Sequence, residues 1–394
     1  MGTMSAPAPA ALSDSQATHI LTSKALTMIQ NIYSATVFPP SNPVISNLIP
    51  RNVGVVKRFV VEVLGTFTNT DGAATATLTD TGLANLISNV TFYDLQNNLR
   101  INTTGLHLSL LAGVKRRRPY AATAQWNTAN GNNLSQMFNV GPATWPLFQA
   151  PATIAHGATA TVRAVFEIPL AYSEEDMRGA IFANVINTTM NLQITLNANA
   201  FVTGTTDTTY AVYSGATGTF TSAVVNVYQV YLDQLPSDPR TGRLILPQTS
   251  LSTVYELKNT NLQAITANQD FPIPFANFRS FLSAFAVYNN SGLAAGRVAG
   301  TDVAYWSLST ANFTNIFKYD PLYNVKLTRE TFMSDLPVGF YYFSFRKQPI
   351  WTTQYGNQQI NLNASTVGAN PYVQVMWEDM ALQNTLSGGA SLPA

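Results

Sequence analysis

The chain has 394 residues, with 21 lysines and arginines against 20 aspartates and glutamates, so only 10% of it is charged and its formal net charge is +1. Soluble domains usually carry about 25% charged residues, so this scarcity indicates that much of the surface is covered by other protein through uncharged polar contacts. The near-zero charge excludes bulk electrostatic attraction to nucleic acid, and the absence of cysteine excludes disulfides, thiolate metal sites and a cysteine nucleophile.

The N-terminal region predicts a tail followed by one helix. Small residues and prolines fill residues 1–11, and Ser13 then offers an N-cap with Asp14 in the first turn. We expect this helix to end before Pro39 and Pro40. It either docks on its own domain or forms an arm that reaches a neighbouring subunit or a membrane surface. The candidate arm residues are an apolar stripe at helical spacing and one lysine: Leu21, Lys24, Ala25, Met28, Ile29 and Ile32.

From Asn52 onward apolar side chains alternate along the chain, which predicts a long, half-buried strand. Its inward-facing set is Val53, Val55, Phe59, Val61, Val63 and Phe67. Seven more strands are predicted at residues 73–78, 89–101, 144–149, 158–169, 188–200, 208–213 and 219–232. Helical insertions are expected at residues 104–114 and 173–184. Eight strands in about 190 residues are typical of a jelly roll.

The second half of the sequence repeats features of the first in the same order. Residues 69–72 (NTDG) end a long strand as residues 289–292 (NNSG) do. Weaker echoes link residues 166–169 with 346–349, and residues 231–233 with 377–379. Internal duplication is the simplest interpretation, with a proline-rich connector at residues 235–239.

Several ordered motifs carry a resemblance to a known family. They are NVGVVK (52–57), LTD (78–80), GLHL (105–108), APATIA (150–155), IPLAYS (168–173), YLDQLP (231–236) and QYGN (354–357). Together they resemble the major capsid protein of tectiviruses, icosahedral phages with an internal membrane. The resemblance extends from about residue 52 to about residue 363, and residues 1–35 and 115–145 depart from it most.

The resemblance implies an all-β fold of two tandem eight-stranded jelly rolls, with an N-terminal helix and short helices in loops. It also implies a homotrimer whose six jelly rolls form a pseudo-hexagonal tile, with the N-terminal helix on the inner side near the membrane. The corresponding division is an arm at residues 1–45, a first jelly roll at 46–236, a second at 237–384 and a flexible tail at 385–394.

The strongest charge cluster is Lys115, Arg116, Arg117 and Arg118, directly after a predicted helix. Such a run fits a phosphate or polyanion site, but a surface loop or a cation group at a subunit interface is the favoured interpretation. The role of this basic loop stays open, because the cluster lies in a segment where the resemblance is weak.

Candidate catalytic groups are few. Residues 174–176 (EED) fit the start of a helix, while Glu378 and Asp379 alternate across a strand and point to opposite faces. The three histidines His19, His107 and His156 have no metal-binding spacing. Aromatic runs at residues 305–306 and 340–345 favour core packing over sugar stacking. We therefore expect no enzyme activity, no cofactor and no metal site.

The sequence thus predicts a virion capsid protein that binds itself, vertex and minor capsid proteins and, through its arm, an internal viral membrane, without sequence-specific binding of nucleic acid. Assembly is expected in the host cytoplasm, since neither a signal peptide nor a membrane-spanning apolar run is found. The main alternative is a carbohydrate- or receptor-binding jelly-roll spike, and a β-sandwich glycoside hydrolase is a distant second.

Overall fold

The computed structural model describes residues 12–116, 148–185, 188–276, 279–297, 301–310, 317–332, 336–346, 350–351 and 358–382. Within these ranges the α-helices are α1 (Asp14–Lys24), α2 (Gly105–Arg116), α3 (Gln248–Leu251) and α4 (Pro321–Phe332). In this part of the chain, none of the helices combines the length and apolar character needed to cross a bilayer.

The N-terminal half, residues 12–233, contains four long strands, β1, β3, β9 and β14, and many short ones. Its strands are β1 (Leu26–Val37), β2 (Val44–Leu48), β3 (Val55–Asn69), β4 (Ala76–Leu78), β5 (Ile87–Tyr93), β6 (Leu99–Thr103), β7 (Phe148–Gln149), β8 (Thr153–Ile154), β9 (Thr159–Pro169), β10 (Ile181–Phe182), β11 (Asn191–Leu196), β12 (Phe201–Val202), β13 (Tyr213–Ser214) and β14 (Gly218–Asp233). One sheet has the order β1-β14-β3-β9-β7, with β10 also paired to β3. The predicted alternation of β3 is confirmed, because Phe59, Val61, Val63 and Phe67 are all fully buried.

The C-terminal half, residues 248–382, follows a connector at residues 234–247. Its strands are β15 (Thr253–Gln263), β16 (Asp270–Pro274), β17 (Ser280–Asn289), β18 (Val303–Ser309), β19 (Phe317–Tyr319), β20 (Phe340–Ser344), β21 (Ile350–Trp351), β22 (Gln359–Ala364) and β23 (Tyr372–Leu382). A four-stranded sheet, β16-β22-β18-β19, covers one side of this half.

A single nine-stranded sheet connects the two halves. Its order is β2-β11-β5-β6-β15-β23-β17-β20, with β21 also paired to β17. The halves meet where β6 pairs in parallel with β15, so that Ile101 lies opposite Leu257 and Asn102 opposite Lys258. Backbone hydrogen bonds therefore run without interruption from one half into the other.

The C-terminal part of this sheet is buried on both faces. Tyr255 and Phe285 pack into a core shared with the N-terminal half, whereas Val375 and Trp377 pack into the core of the C-terminal half. All ten residues of β17 are buried. Because both faces are covered, the alternation that marks β3 is lost here.

The predicted N-terminal helix is too long. Helix α1 ends at Lys24, and Met28, Ile29 and Ile32 lie in β1, which pairs with β14 from Leu26 to Val37. This segment is rich in β-branched residues, which favour extended backbone, and its pairing with β14 supplies the hydrogen bonds that a helix would otherwise make. Pro39 and Pro40 thus follow a strand instead of a helix.

The helix predicted at residues 173–184 is also wrong, although the cap contact exists. The Ser173 hydroxyl accepts a hydrogen bond from the Asp176 N–H at 3.0 Å. Gly179 then adopts a φ of +91°, where a Cβ atom would lie 2.4 Å from the Leu170 carbonyl oxygen. The chain turns there into β10.

Other predicted elements differ mainly in extent. The insertion at residues 104–114 is confirmed as α2. The strand predicted at residues 89–101 is a hairpin of β5 and β6, turned by Asp94, whose carboxylate accepts the Gln96 and Asn98 N–H groups. The strands predicted at residues 73–78, 188–200 and 208–213 are each shorter, and most of the one at residues 144–149 lies outside the described residues.

The expected duplication is visible in two equivalent turns. Asn69 ends β3 and Asn289 ends β17, and both side chains are fully buried. Each side-chain oxygen accepts the N–H two residues ahead, and each amide nitrogen donates to a carbonyl four or five residues ahead. The same side chain thus closes the same turn in both halves.

Candidate functional site

Helix α1 is anchored to α3, the short helix that follows the connector in the same chain. The Asp14 carboxylate accepts hydrogen bonds from the N–H groups of Thr249 and Ser250 at 2.9 and 3.0 Å and from the Ser250 hydroxyl at 2.6 Å. Two turns further along the helix, Leu21 is fully buried in a small cluster that also holds Val55 and Leu232. Helix α1 is therefore docked on its own subunit, one of the two expected arrangements.

The six predicted arm residues are spread over two elements. Leu21 and Lys24 lie in α1, where Lys24 is exposed, and Ala25 is the C-cap. Met28 and Ile32 are partly buried against the main core, whereas the Ile29 side chain is 66% exposed. The structure thus divides these residues between α1 and the edge strand β1, and they do not form a single apolar stripe.

A buried charge cluster lies between the two halves. Its centre is Glu378 on β23, which is fully buried. The carboxylate accepts hydrogen bonds from the Tyr255 hydroxyl at 2.7 Å, from the Ser283 hydroxyl at 2.5 Å and from the Arg346 guanidinium. Lys115, at the end of α2 in the N-terminal half, places its Nζ atom 3.9 Å from Glu378 Oε1.

Aromatic rings from both halves cover the two cations of this cluster. Lys115 donates to the Tyr172 carbonyl oxygen at 2.7 Å, and its ammonium lies 4.5 Å from the centre of the Tyr255 ring. The Arg346 guanidinium lies over the Tyr172 ring at 5.6 Å. Both aromatic rings therefore shield the ion pairs from water and add cation–π attraction.

Burial and charge pairing shift the pKa values of this cluster. Burial raises the pKa of Glu378, but Arg346 and then Lys115 outweigh it and hold that pKa below its usual value. Burial lowers the pKa of Lys115 to about 8, against the opposing effect of Glu378. Burial also lowers the pKa of the neighbouring His107 to about 4. The cluster is thus a closed set of paired charges, which suits cohesion between the halves better than catalysis.

A carboxyl pair lies on the other face of the same sheet. Asp379 stands opposite Glu256 in the β15–β23 pairing, and both are buried. Lys258 and Arg279 are the adjacent cations, 2.5 and 3.1 Å from Glu256 Oε2. Burial, and then the charge of Glu256, raise the pKa of Asp379 to about 7. The prediction that Glu378 and Asp379 point to opposite faces is confirmed.

Besides the shared sheet and the Glu378 cluster, an ion pair and two hydrogen bonds connect the halves. Arg297 of the C-terminal half donates through Nη1 and Nη2 to the two carboxylate oxygens of Asp80, at 3.0 and 2.8 Å. Nearby, the Tyr372 hydroxyl donates to the Asp207 carboxylate and the Tyr210 hydroxyl donates to the Gln374 amide oxygen. Together with the shared sheet and the Glu378 cluster, these contacts join the halves along much of their length.

The remaining sequence candidates are scattered. Lys115 and Arg116 belong to α2 instead of a loop, and Arg117 and Arg118 lie outside the described residues. Glu174 is paired with Lys57 and Arg58, while His19 and His156 are exposed. No three histidine, aspartate or glutamate side chains converge in a metal-binding arrangement within the described ranges.

Tyr255, Ser283 and Arg346 were not singled out from the sequence, although they complete the Glu378 cluster. Ser283 lies in the largely apolar strand β17, Tyr255 lies in β15, where apolar and polar residues are mixed, and Arg346 follows β20. A polar residue in a strand that is buried on both faces was the available signal. The sequence alone does not reveal this signal, because it does not show that both faces of these strands are covered.

Two family models match the chain. One, described as P3 major capsid protein N-terminal, matches residues 15–235, and the other, described as P3 major capsid protein C-terminal, matches residues 252–391. The chain belongs to the P3 major capsid protein family. Over 368 residues it is 36% identical to "Major capsid protein P3" of Enterobacteria phage PRD1, covering 92% of this chain and 89% of that P3 protein.

Solved structures agree on the fold of this P3 family member. The crystal structure of the STIV MCP has a TM-score of 0.61 at 12% identity and covers 93% of this chain and 100% of that chain. The atomic structure of Sulfolobus Turreted Icosahedral Virus contains a chain with a TM-score of 0.62 at 13% identity, covering 92% and 94%. At such identities the likeness concerns the fold alone, and it confirms the predicted double jelly roll. As a P3 family member, the chain is a major capsid protein, and the spike alternative is not favoured.

Proposed function

We propose that three copies of this chain form a pseudo-hexagonal tile and that such tiles close an icosahedral shell around an internal membrane. One observation carries the proposal: two β-sandwiches of related architecture are joined in one chain by a continuous nine-stranded sheet. Three such chains present six similar units, which match a hexagonal outline. The role is structural, and its mechanism is assembly instead of catalysis.

The junction between the halves supports this role. A shell subunit must keep its two halves at a fixed angle, because an error in that angle would be repeated at every tile. The Glu378 cluster and the Arg297–Asp80 pair require specific partners in both halves, so sliding of one sandwich over the other would leave buried charges unpaired. The low charge of the chain fits contacts between many copies that bury uncharged polar surface at little desolvation cost.

The mass and shape of the purified protein test the proposal. We expect a particle of three times 42.7 kDa in light scattering, and a six-lobed outline in electron micrographs of isolated particles. A stable 42.7 kDa monomer that forms no shells under any assembly condition would contradict it.

We further propose that α1 and the start of β1 lie on the membrane side of the shell. Lys24 is exposed and Leu26 is 49% exposed, so a cation and an apolar side chain are available there.

Vesicle flotation tests this placement. Trimers should float with vesicles of phosphatidylglycerol and phosphatidylethanolamine, and the Lys24→Glu, Leu26→Ser double variant should bind them less. Leu322→Ser, at a 79% exposed residue of α4, is the matched control. A double variant that floats like the wild type would contradict the arm assignment and leave the trimer proposal standing.

The finer organisation completes the proposal. It divides the chain into an arm at residues 1–45, jelly rolls at 46–236 and 237–384, and a tail at 385–394. Vertex and minor capsid proteins would contact the shell, the genome would not be bound in a sequence-specific way, and assembly would take place in the host cytoplasm.

A further inference from the structure

The outer face of the sheet β1-β14-β3-β9 carries charged side chains on only two of its four strands. Neither β1 nor β14 contains a charged residue before Asp233, the last residue of β14. Four charged residues occupy outward positions on the other two strands: Arg58 and Glu62 on β3, and Arg163 and Glu167 on β9. Hydroxyl, amide and aliphatic side chains fill the rest of the face.

The cations on this face are neutralised within the chain. Arg163 donates through Nε to Glu62 Oε1 at 2.7 Å, and Arg58 is paired with Glu174. The threonine hydroxyls of β3, β9 and β14 bond to one another, with Thr68 Oγ1 lying 3.2 Å from Thr159 Oγ1 and 3.0 Å from Thr221 Oγ1. An anionic membrane or nucleic acid would therefore find no available cation here, whereas a neutral protein surface would match the face.

Large apolar side chains stand out from this face. Ile29 is 66% exposed, Leu64 is 40% exposed and Val224 is 38% exposed. Val224 and Leu64 are adjacent in the β14–β3 register, and Thr36 of β1 continues the same row. Strand β1 also forms the edge of its sheet, yet it carries none of the lysines or prolines that protect exposed edges from pairing.

The face is large enough for a stable interface. Eleven residues of strand, from Arg58 to Thr68, span about 36 Å, and four strands span about 19 Å, which gives roughly 700 Å². A standard protein interface buries about 800 Å² on each partner. The face thus supplies most of one such interface before loops are counted.

We propose that this sheet face, from β1 to β9, contacts a second copy of the chain within the trimer. The inference rests on the proposed homotrimer and adds which surface closes it. Because contacts around a threefold axis are heterologous, the face meets a different surface of the neighbouring copy. Uncharged hydroxyl and aliphatic side chains become buried there at less desolvation cost than ion pairs.

Single cysteines provide the test, since the natural chain has none. Leu64→Cys and Val224→Cys place a thiol on the face, and Leu322→Cys places one on α4. Each purified trimer is labelled with a maleimide, and its rate is divided by the rate of the same variant in denaturant. We expect this ratio to be at least tenfold lower at positions 64 and 224 than at position 322.

Comparable ratios at all three positions in a trimer of normal mass would overturn the inference while the trimer stands. Protection that arises only when shells form would overturn it as well, because it would assign the face to contacts between trimers. A wild-type chain that stays monomeric would instead contradict the proposed function. As a second readout, the Leu64→Lys, Val224→Lys double variant should give folded monomers by light scattering and circular dichroism, whereas Leu322→Lys should give trimers.

Discussion

The ammonium of Lys115, at the end of α2, lies 3.9 Å from the carboxylate of Glu378, in the middle of the sheet that the two halves share. The pair joins residues 263 positions apart in sequence, and Arg346 adds a second cation to the same carboxylate. The fully buried Glu378 is thus paired with one cation from each half of the chain.

Replacing Glu378 should be among the most destabilising single changes in the chain. Glu378→Gln leaves Lys115 and Arg346 buried without their counter-charge, so we expect the free energy of unfolding to fall by about 3–5 kcal/mol. Lys115→Met should cost less, because Arg346 still neutralises Glu378. Denaturant unfolding of each variant measures the loss.

Glu330→Gln is the control for this change. Glu330 is 60% exposed and pairs with Lys326 on the surface of α4 at 3.8 Å, so its loss should change stability by less than about 0.5 kcal/mol. Equal stabilities of Glu378→Gln and Glu330→Gln would show that the buried cluster does not hold the halves together.

Asp379 should make stability fall as the pH rises through 7. Burial and Glu256 raise its pKa from 3.8 to about 7 in the folded chain, so between these values the folded state holds more protons than the unfolded state. The contribution of this proton to stability is complete below pH 3.8. It declines as the pH rises and is lost as the pH passes through 7. Asp379→Asn keeps the neutral form at every pH. The stability of this variant relative to wild type should therefore rise as the pH increases from 5 to 8.

Asp71→Asn provides the contrast for this pH profile. The N–H groups of Ala74, Ala73 and Thr217 lower the pKa of Asp71 to about 2, so its stabilising effect is complete above pH 3.8 and is lost only as the pH falls toward 2. The stability difference between Asp71→Asn and wild type should therefore be constant from pH 5 to pH 8. A similarly constant difference for Asp379→Asn would contradict the raised pKa.

The sequence predicted the elements whose signal is local and failed where tertiary pairing decides. The alternation of β3 is local, because one face of that strand is buried and the other is not. Residues 26–32 carry apolar side chains at helical spacing, but β14 pairs with them as a strand, and nothing in the local sequence reveals that partner. Glu378 was correctly placed on a strand, whereas its partners come from α2, β15, β17 and the residues after β20, which only the folded chain brings together.

Asn69 and Asn289 should contribute similarly to stability if the two turns are equivalent. Each buried side chain bonds to backbone groups on both sides of its turn, so its replacement by alanine leaves buried backbone groups unsatisfied. We expect Asn69→Ala and Asn289→Ala each to lower the free energy of unfolding by about 1–3 kcal/mol. Asn199→Ala, at an exposed asparagine, should have little effect in the same denaturant titration. A loss at only one of the two turns would argue against their equivalence.

The two halves should remain associated after the connector is cut. Arg240 and Arg243 are exposed in the connector and flank Gly242, so trypsin should cleave there early in a limited digest. The β6–β15 pairing, the Glu378 cluster and the Arg297–Asp80 pair do not depend on an intact connector. Denaturing gels should therefore show two fragments while light scattering reports the mass of the uncut protein.

The Glu378→Gln variant provides the comparison. Its nicked fragments should separate at a lower denaturant concentration than those of the nicked wild type. Fragments of the wild type that separate in native buffer would show that the covalent connector, and not the shared sheet, holds the two halves together.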